Sequence, residues 1–167
     1  NELVQQVNGE FAERFEGRNL DLICILQPEP LLIRADSRRI WRVLENLYVN
    51  VCKYAMPGTR VYVDAIKKDG KIQLSIKNIS ENPLNFQADE LTERFIRGDV
   101  SRSTEGSGLG LSIAKNLTVL QHGSFNIYLD GDLFKVTITF DEAVKEKKPM
   151  PPMIVPEAVQ EEAQQDA

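Results

Sequence analysis

Alternating apolar and polar residues predict two β-hairpins in this chain. The first hairpin is predicted over Val61–Lys67 and Lys71–Lys77, and the second over Phe125–Leu129 and Leu133–Phe140. Each pair of strands is separated by a short turn that contains aspartate and glycine, which is a strong local hairpin signal. A period of two places the apolar residues of each strand on one face, so both hairpins are expected to cover a core on one side only.

Two further strands are predicted upstream. Leu20–Leu26 and Leu31–Arg34 are apolar, and Gln27–Pro30 separates them with two prolines. Before them, Glu2–Phe15 is predicted to be a helix. Cys24 and Cys52 stand on a predicted strand and a predicted helix, so they are expected to be buried thiols and not a disulfide.

A long amphipathic helix is predicted from Arg39 to Ala55. Asp36 or Ser37 is the expected N-cap, and Pro57-Gly58 is expected to end the helix. The apolar stripe of this helix consists of Ile40, Leu44, Leu47 and Val51.

A second, polar stripe runs along the same helix. Asn46, Asn50 and Lys53 stand at positions i, i+4 and i+7, so they share one face. A solvated face would be expected to carry Glu, Lys and Gln, because asparagine is a poor helix former. The stripe therefore indicates neutral oxygen ligands for a metal ion such as Mg²⁺, with an ammonium group near phosphate oxygens.

A glycine-rich segment leads into another predicted helix. Gly106, Gly108 and Gly110 precede apolar residues at helical spacing up to Leu120. Glycines allow close approach of a ligand to the backbone, and a helix N-terminus offers unpaired N–H groups to a phosphate. The alternative interpretation is a glycine-rich turn that only starts a helix.

Three segments together resemble one family. Glu45–Tyr54 is similar to the N box, Glu93–Asp99 to the F box and Gly106–Ser112 to the second glycine box of the catalytic, ATP-binding domain of bacterial sensor histidine kinases. These domains belong to the GHKL, or Bergerat-fold, ATPase superfamily. The resemblance covers roughly Asn1 to Phe140 and includes the order and spacing of the motifs.

The resemblance implies a set of residues that contact ATP. Within it, Asn50 would coordinate Mg²⁺ with support from Asn46, and Lys53 would lie near the phosphates. The full set is Asn46, Asn50, Lys53, Tyr54, Asn78, Phe95, Arg97, Arg102, Gly106, Ser107, Gly108, Leu109, Gly110 and Leu111. In this set Arg97 and Arg102 would reach the phosphates, and Phe95 would anchor one end of a polar lid.

One motif departs from the family pattern. The first glycine box normally supplies an aspartate to the adenine amino group, followed by glycines, whereas this chain has Ile76–Leu84 with neither residue type. Asn78 stands in the aspartate's place. Its amide oxygen can accept a hydrogen bond but carries no charge, and its NH₂ can equally face the ligand. Weaker ATP binding than in the family is therefore expected.

A second departure concerns the reaction. The ATP-hydrolysing members of the superfamily carry a glutamate one turn before the metal-binding asparagine, and this chain has Asn46 there. Asn46 cannot act as a base, so transfer to a protein is favoured over hydrolysis. The chain is expected to contain no catalytic acid or base and no acceptor. Its single histidine, His122, precedes Gly123 and is interpreted as a structural residue at a helix end.

Composition and charge indicate the domain boundaries and argue against nucleic acid as a partner. The 167 residues are 42% hydrophobic and carry a net charge of −5, of which residues 141–167 hold seven acidic and three basic side chains. The rest is nearly neutral, so nucleic acid is not an expected partner. We predict an N-terminal helical segment from an upstream domain at 1–19, the ATP-binding kinase domain at 20–140, and a disordered acidic, proline-containing tail at 141–167.

The expected fold is an α/β (α+β) two-layer sandwich, in which about three helices cover one face of a mixed, mostly antiparallel sheet. The resemblance implies ATP and Mg²⁺ as cofactors. It implies as partners an upstream histidine-bearing dimerisation domain, in a homodimer, and a response regulator. It also implies a cytoplasmic domain of a protein anchored in the bacterial membrane. Two alternatives remain: a regulatory module with weak or no ATP binding, and an anti-sigma-type serine kinase.

Overall fold

The computed structural model describes residues 1–84 and 109–143 of the chain. These residues form a five-stranded sheet with three helices. In chain order the elements are α1 (Glu2–Gly17), β1 (Asp21–Leu26), α2 (Ser37–Tyr54), β2 (Arg60–Lys68), β3 (Lys71–Ile79), α3 (Gly110–Leu120), β4 (Ser124–Asp130) and β5 (Leu133–Asp141).

The sheet is mixed, with the strand order β1-β2-β3-β5-β4. β1 pairs with β2 in parallel, and the other three pairs are antiparallel. Alternate residues of β2 and β5 are buried, as are most residues of the central strand β3, and alternate residues of β4 are partly buried, which places an apolar face against the helices. The predicted two-layer architecture with a mostly antiparallel sheet is confirmed.

The helices cover this apolar face with one continuous core. Phe11 and Phe15 of α1 pack against Tyr48 of α2, with ring centroids 5.3 and 5.6 Å from that of Tyr48. The hydroxyl of Tyr48 donates a hydrogen bond to Asn8 Oδ1. Burial raises the pKa of Tyr48, and the nearby Cys24 thiol adds to this effect. Helix α1 therefore contributes to the same core as the sheet.

Both hairpins form at the predicted turns. In the first turn, Asp69 and Gly70 both have positive φ, at 52° and 72°, which matches the twist of the flanking strands. In the second turn Gly131 has a φ of 56°. The strands extend by one or two residues beyond the predicted bounds.

The predicted strand at 31–34 is wrong. Only Ile33 forms a bridge, to Glu142, and no further ladder follows. The reason lies in the preceding residues: Pro30 has no N–H, and the N–H of Leu31 donates to Asn1 Oδ1 at 2.7 Å. The segment is thus held by the side chain of Asn1, the N-cap of α1, and by a single bridge just beyond the end of β5.

The expectation of buried thiols is wrong for Cys24, which is exposed, and Cys52 is only partly buried. Cys24 lies on β1 at the edge of the sheet, where packing is incomplete. Burial raises the pKa of the Cys52 thiol, although the positive charges of Arg14 and Arg18 oppose this shift. The two residues are not joined in a disulfide.

Candidate functional site

Helix α2 carries the predicted polar stripe and is fixed at its start and along its length. Asp36 is the N-cap, and its Oδ1 accepts hydrogen bonds from the N–H groups of Arg38 and Arg39 at 2.9 and 3.2 Å. The buried face of the helix consists of Ile40, Val43, Leu44, Leu47, Tyr48 and Val51. Because this face is anchored in the core, the orientation of the polar stripe beside it is fixed as well.

Asn46 lies where α2 meets the start of α3. Its Nδ2 donates to the carbonyl oxygen of Arg42 at 2.6 Å, which directs Oδ1 away from that carbonyl. A Cβ placed on Gly110 would lie 3.3 Å from Asn46 Oδ1. The predicted N box and the last glycine of the predicted glycine box are therefore in direct contact. Asn50, one turn further on, is partly buried, and Lys53 is exposed.

The start of α3 has one exposed and one buried leucine. Leu109 is the N-cap, is exposed and makes no side-chain capping bond, while Leu111 is buried in the core. The Oγ of Ser112 donates to the carbonyl oxygen of Leu109 at 2.8 Å. The first N–H groups of a helix have no partner within the helix, so this turn presents backbone donors and a positive dipole end beside Asn46. Leu111 can contribute only backbone atoms to such a site.

Asn78 lies at the end of β3 and is only 4% exposed. Its Nδ2 donates to the carbonyl oxygen of Ile79 at 3.2 Å. One of the two NH₂ hydrogens is used in this way, and the amide oxygen can accept a hydrogen bond from a ligand.

Backbone hydrogen bonds join the end of α2 to the end of β3. They bring the segment that contains Tyr54 close to the segment that contains Asn78. The N–H of Met56 donates to the carbonyl oxygen of Ile79, and the N–H of Glu81 donates to that of Tyr54, both at 2.8 Å. Ala55 and Ser80 form a bridge between these two bonds. The candidate site therefore has two ends, one at Asn46 and Gly110 and the other at Tyr54 and Asn78.

Arg18 was not singled out by the sequence. It follows α1, and its Nη2 donates to the carbonyl oxygen of Ala55 at 3.2 Å and to Oε2 of Glu81 at 3.1 Å. Its partners are 37 and 63 residues away along the chain. No local pattern predicts contacts at such separations.

Other predicted positions are less informative. Phe95, Arg97, Arg102, Gly106, Ser107 and Gly108 lie outside the described residues. His122 is exposed and follows α3 with a φ of 64°.

Within 1–84 and 109–143, no group of three His, Cys, Asp or Glu side chains could hold a metal ion. In the same ranges, no helix has the length and apolar character needed to cross a membrane.

Comparison with known proteins identifies the family. The sequence profile described as histidine kinase-, DNA gyrase B-, and HSP90-like ATPase matches residues 35–144. The signal transduction histidine-protein kinase BaeS of Escherichia coli (strain K12) is 31% identical over 123 residues, which are 72% of this chain and 26% of BaeS. Sensor histidine kinase HprS of the same strain is 34% identical over 108 residues, which are 64% of this chain and 24% of HprS.

Solved structures agree with this result at the level of the fold. The catalytic domain of histidine kinase ThkA superposes with a TM-score of 0.73 at 24% identity, covering 85% of this chain and 91% of that domain. ThkA has also been solved in complex with the response regulator protein TrrA, where the TM-score is 0.69 at 24% identity and covers 86% of this chain and 40% of that one. The chain spans about a quarter of the length of BaeS and HprS. It belongs to the histidine kinase-, DNA gyrase B-, and HSP90-like ATPase family, as a catalytic ATP-binding domain of the sensor histidine kinase type.

Proposed function

We propose that this domain binds Mg·ATP and donates the γ-phosphoryl group to a histidine on a dimerisation domain outside this sequence. The observation that carries the proposal is the contact of Asn46 with Gly110, because it joins the polar stripe of α2 to the N-terminus of α3. Oxygen ligands and unpaired N–H groups are thereby adjacent, which is the combination that a metal-bound polyphosphate needs.

The amide side chains of α2 fit Mg²⁺ by their donor chemistry. The NH₂ of Asn46 is used by the Arg42 carbonyl, so its Oδ1 faces the start of α3, and Asn50 lies one turn further along the same face. We assign Asn50 as the Mg²⁺ ligand and Asn46 as its support. When bound, the ion would neutralise charge on the phosphate oxygens. Lys53 adds a positive charge at the end of the same stripe.

Asn78 and Tyr54 are proposed to hold the adenine. The Asn78 NH₂ donates to Ile79, so its Oδ1 would accept a hydrogen bond from the adenine amino group. A neutral acceptor forms a weaker bond than a carboxylate, and we expect moderate affinity for ATP. Phe95, Arg97, Arg102, Gly106, Ser107 and Gly108 complete the proposed site, with the arginines and glycines at the phosphates.

The reaction proposed is transfer to a protein and not hydrolysis. Asn46 occupies the position from which a glutamate would activate water, and an amide cannot accept a proton in that role. Catalysis would then depend on the position of the phosphate chain and on neutralisation of its charge. By analogy with the relatives, the acceptor domain forms a homodimer, a response regulator receives the phosphoryl group, and the domain works on the cytoplasmic side of a membrane-anchored protein.

Calorimetric titration with a non-hydrolysable ATP analogue, with and without Mg²⁺, tests the proposal. Binding that strengthens when Mg²⁺ is added is the expected result. Absence of binding at millimolar analogue would favour the second candidate, a regulatory module that has kept the fold and lost the nucleotide. The observation behind that alternative is the first glycine box, which in this chain has neither aspartate nor glycine near the buried Asn78.

A second experiment tests the transfer step. The domain, joined to its own upstream dimerisation domain, would be incubated with γ-labelled ATP and assayed for acid-labile phosphohistidine. The isolated chain serves as the control and should remain unlabelled, because we assign its single histidine, His122, a structural role at the end of α3. Label on a serine of a protein partner, with none on histidine, would contradict the proposed acceptor.

A further inference from the structure

Three parts of the chain meet at the guanidinium of Arg18. This residue follows α1, the carbonyl oxygen of Ala55 ends α2, and the carboxylate of Glu81 follows β3; Nη2 of Arg18 lies 3.2 and 3.1 Å from these two acceptors. Its Nε is buried and has no hydrogen-bond partner among the described residues. A buried donor without a partner costs free energy, so the two bonds made by Nη2 must offset this cost for the guanidinium to stay in place.

The two acceptors stand beside the residues assigned to the adenine. Ala55 directly follows Tyr54, and Glu81 lies three positions after Asn78. The backbone bond from the Glu81 N–H to the Tyr54 carbonyl oxygen, at 2.8 Å, joins the two segments, and Arg18 spans the same junction with its side chain. A cation at the last carbonyl groups of a helix also interacts favourably with the helix dipole.

We infer that Arg18 is a positioning residue for the purine end of the nucleotide, acting through Ala55 and Glu81 on Tyr54 and Asn78. This inference rests on the proposed function. Arg18 does not contact the nucleotide in this account; it fixes the separation between the end of α2 and the end of β3. The phosphate end, at Asn46 and Gly110, is built on the middle of α2 and the start of α3, and it should not depend on Arg18.

The test is calorimetric binding of non-hydrolysable ATP and GTP analogues to Arg18→Ala. We expect binding of the ATP analogue to weaken by at least about fivefold, the lower end of typical coupling between separate sites. The ratio of the affinities for the ATP and GTP analogues should become smaller. The factor by which Mg²⁺ increases the affinity should stay the same. Arg18→Lys should recover part of the affinity, because an ammonium can reach one of the two acceptors.

The matched control is the ion pair of Lys67 with Glu142, at 2.8 Å on the other end of the sheet. Like the Arg18–Glu81 pair it joins distant parts of the chain at the surface, and Lys67→Ala should leave both analogue affinities unchanged. Glu81→Gln is the second variant if Arg18→Ala does not fold, and it should give the same change in base preference to a smaller extent.

Three outcomes would overturn the inference. One is a folded Arg18→Ala protein with the affinity and base preference of the wild type. Another is an equal loss for both analogues with a changed effect of Mg²⁺, which would place the influence of Arg18 at the phosphate end. If the wild-type protein itself binds neither analogue, the proposed function fails, and the positioning role fails with it. The wild-type titration therefore separates the two failures.

Discussion

Gly110 lies directly against Asn46, although 64 positions separate them in the sequence. A Cβ on Gly110 would come within 3.3 Å of Asn46 Oδ1, which is closer than ordinary van der Waals contact. Gly110 does not have a positive φ, so a side chain at this position is disfavoured by this neighbour and not by the backbone conformation. The contact sets how closely the start of α3 approaches the polar stripe of α2.

Gly110→Ala should weaken Mg·ATP binding by about tenfold, or about 1.4 kcal/mol, because the added methyl group displaces Asn46. The free energy of unfolding should change by less than about 1 kcal/mol, since alanine also favours the helix. Calorimetry and chemical denaturation measure the two effects.

Gly9→Ala is the control, because nothing lies within 4 Å of the Cβ position of Gly9 in α1. This variant should stabilise the protein by roughly 0.5–1 kcal/mol and leave nucleotide binding unchanged. Equal binding by both variants would contradict the role of the contact.

Asn50→Ala should remove most of the gain in nucleotide affinity that Mg²⁺ provides, while binding without the metal is retained. Asn50 is only partly buried, so the fold should be unaffected. Titrations at several Mg²⁺ concentrations measure this effect. Leu47→Ala, on the buried face of the same helix, should instead cost about 2–5 kcal/mol of stability and leave the metal dependence intact. An Asn50→Ala protein with the wild-type response to Mg²⁺ would refute the metal assignment.

His122→Gly should stabilise the protein by about 0.5–1 kcal/mol, since His122 has a φ of 64°, a conformation that glycine adopts without strain. The N–H of Gly123 donates to the Thr118 carbonyl oxygen and that of His122 to the Val119 carbonyl oxygen, which is a Schellman motif at the end of α3. Thermal or chemical denaturation measures the gain. A loss of nucleotide binding in this variant would show that His122 has more than a structural role.

The free energy of unfolding should fall as the pH rises above about 10, in part because of Tyr48. Burial raises the pKa of Tyr48 in the folded protein, so its contribution is complete below the pKa of the unfolded chain. Above that value the unfolded phenol ionises first, and stability decreases by up to about 1.4 kcal/mol per pH unit. Denaturation between pH 8 and 11 measures the slope.

Tyr48→Phe should reduce this alkaline slope and cost about 1 kcal/mol at neutral pH, because the bond to Asn8 is lost. Tyr128→Phe is the matched control, since Tyr128 is 55% exposed on β4, and it should leave the slope as in the wild type. A slope that Tyr48→Phe does not change would contradict the assignment.

Elements with local signals can be predicted from the amino-acid sequence. Asp69-Gly70 supplies the two positive φ angles of a hairpin turn, Asp36 supplies the N-cap of α2, and the spacing of Asn46, Asn50 and Lys53 places them on one face. Each of these features depends on hydrogen bonds or side-chain directions within a few residues, and a linear pattern records them directly.

Contacts between distant segments depend on packing and are seen only in the folded chain. Only the folded chain brings Gly110 against Asn46, and only there does Arg18 reach both Ala55 and Glu81. The segment at 31–34 has strand-like residues, yet the Asn1 side chain takes its first backbone donor and only one bridge forms. Such contacts depend on how the segments pack in the shared core and on which groups compete for each hydrogen bond. Neither can be predicted from the hydrophobic pattern of a single segment.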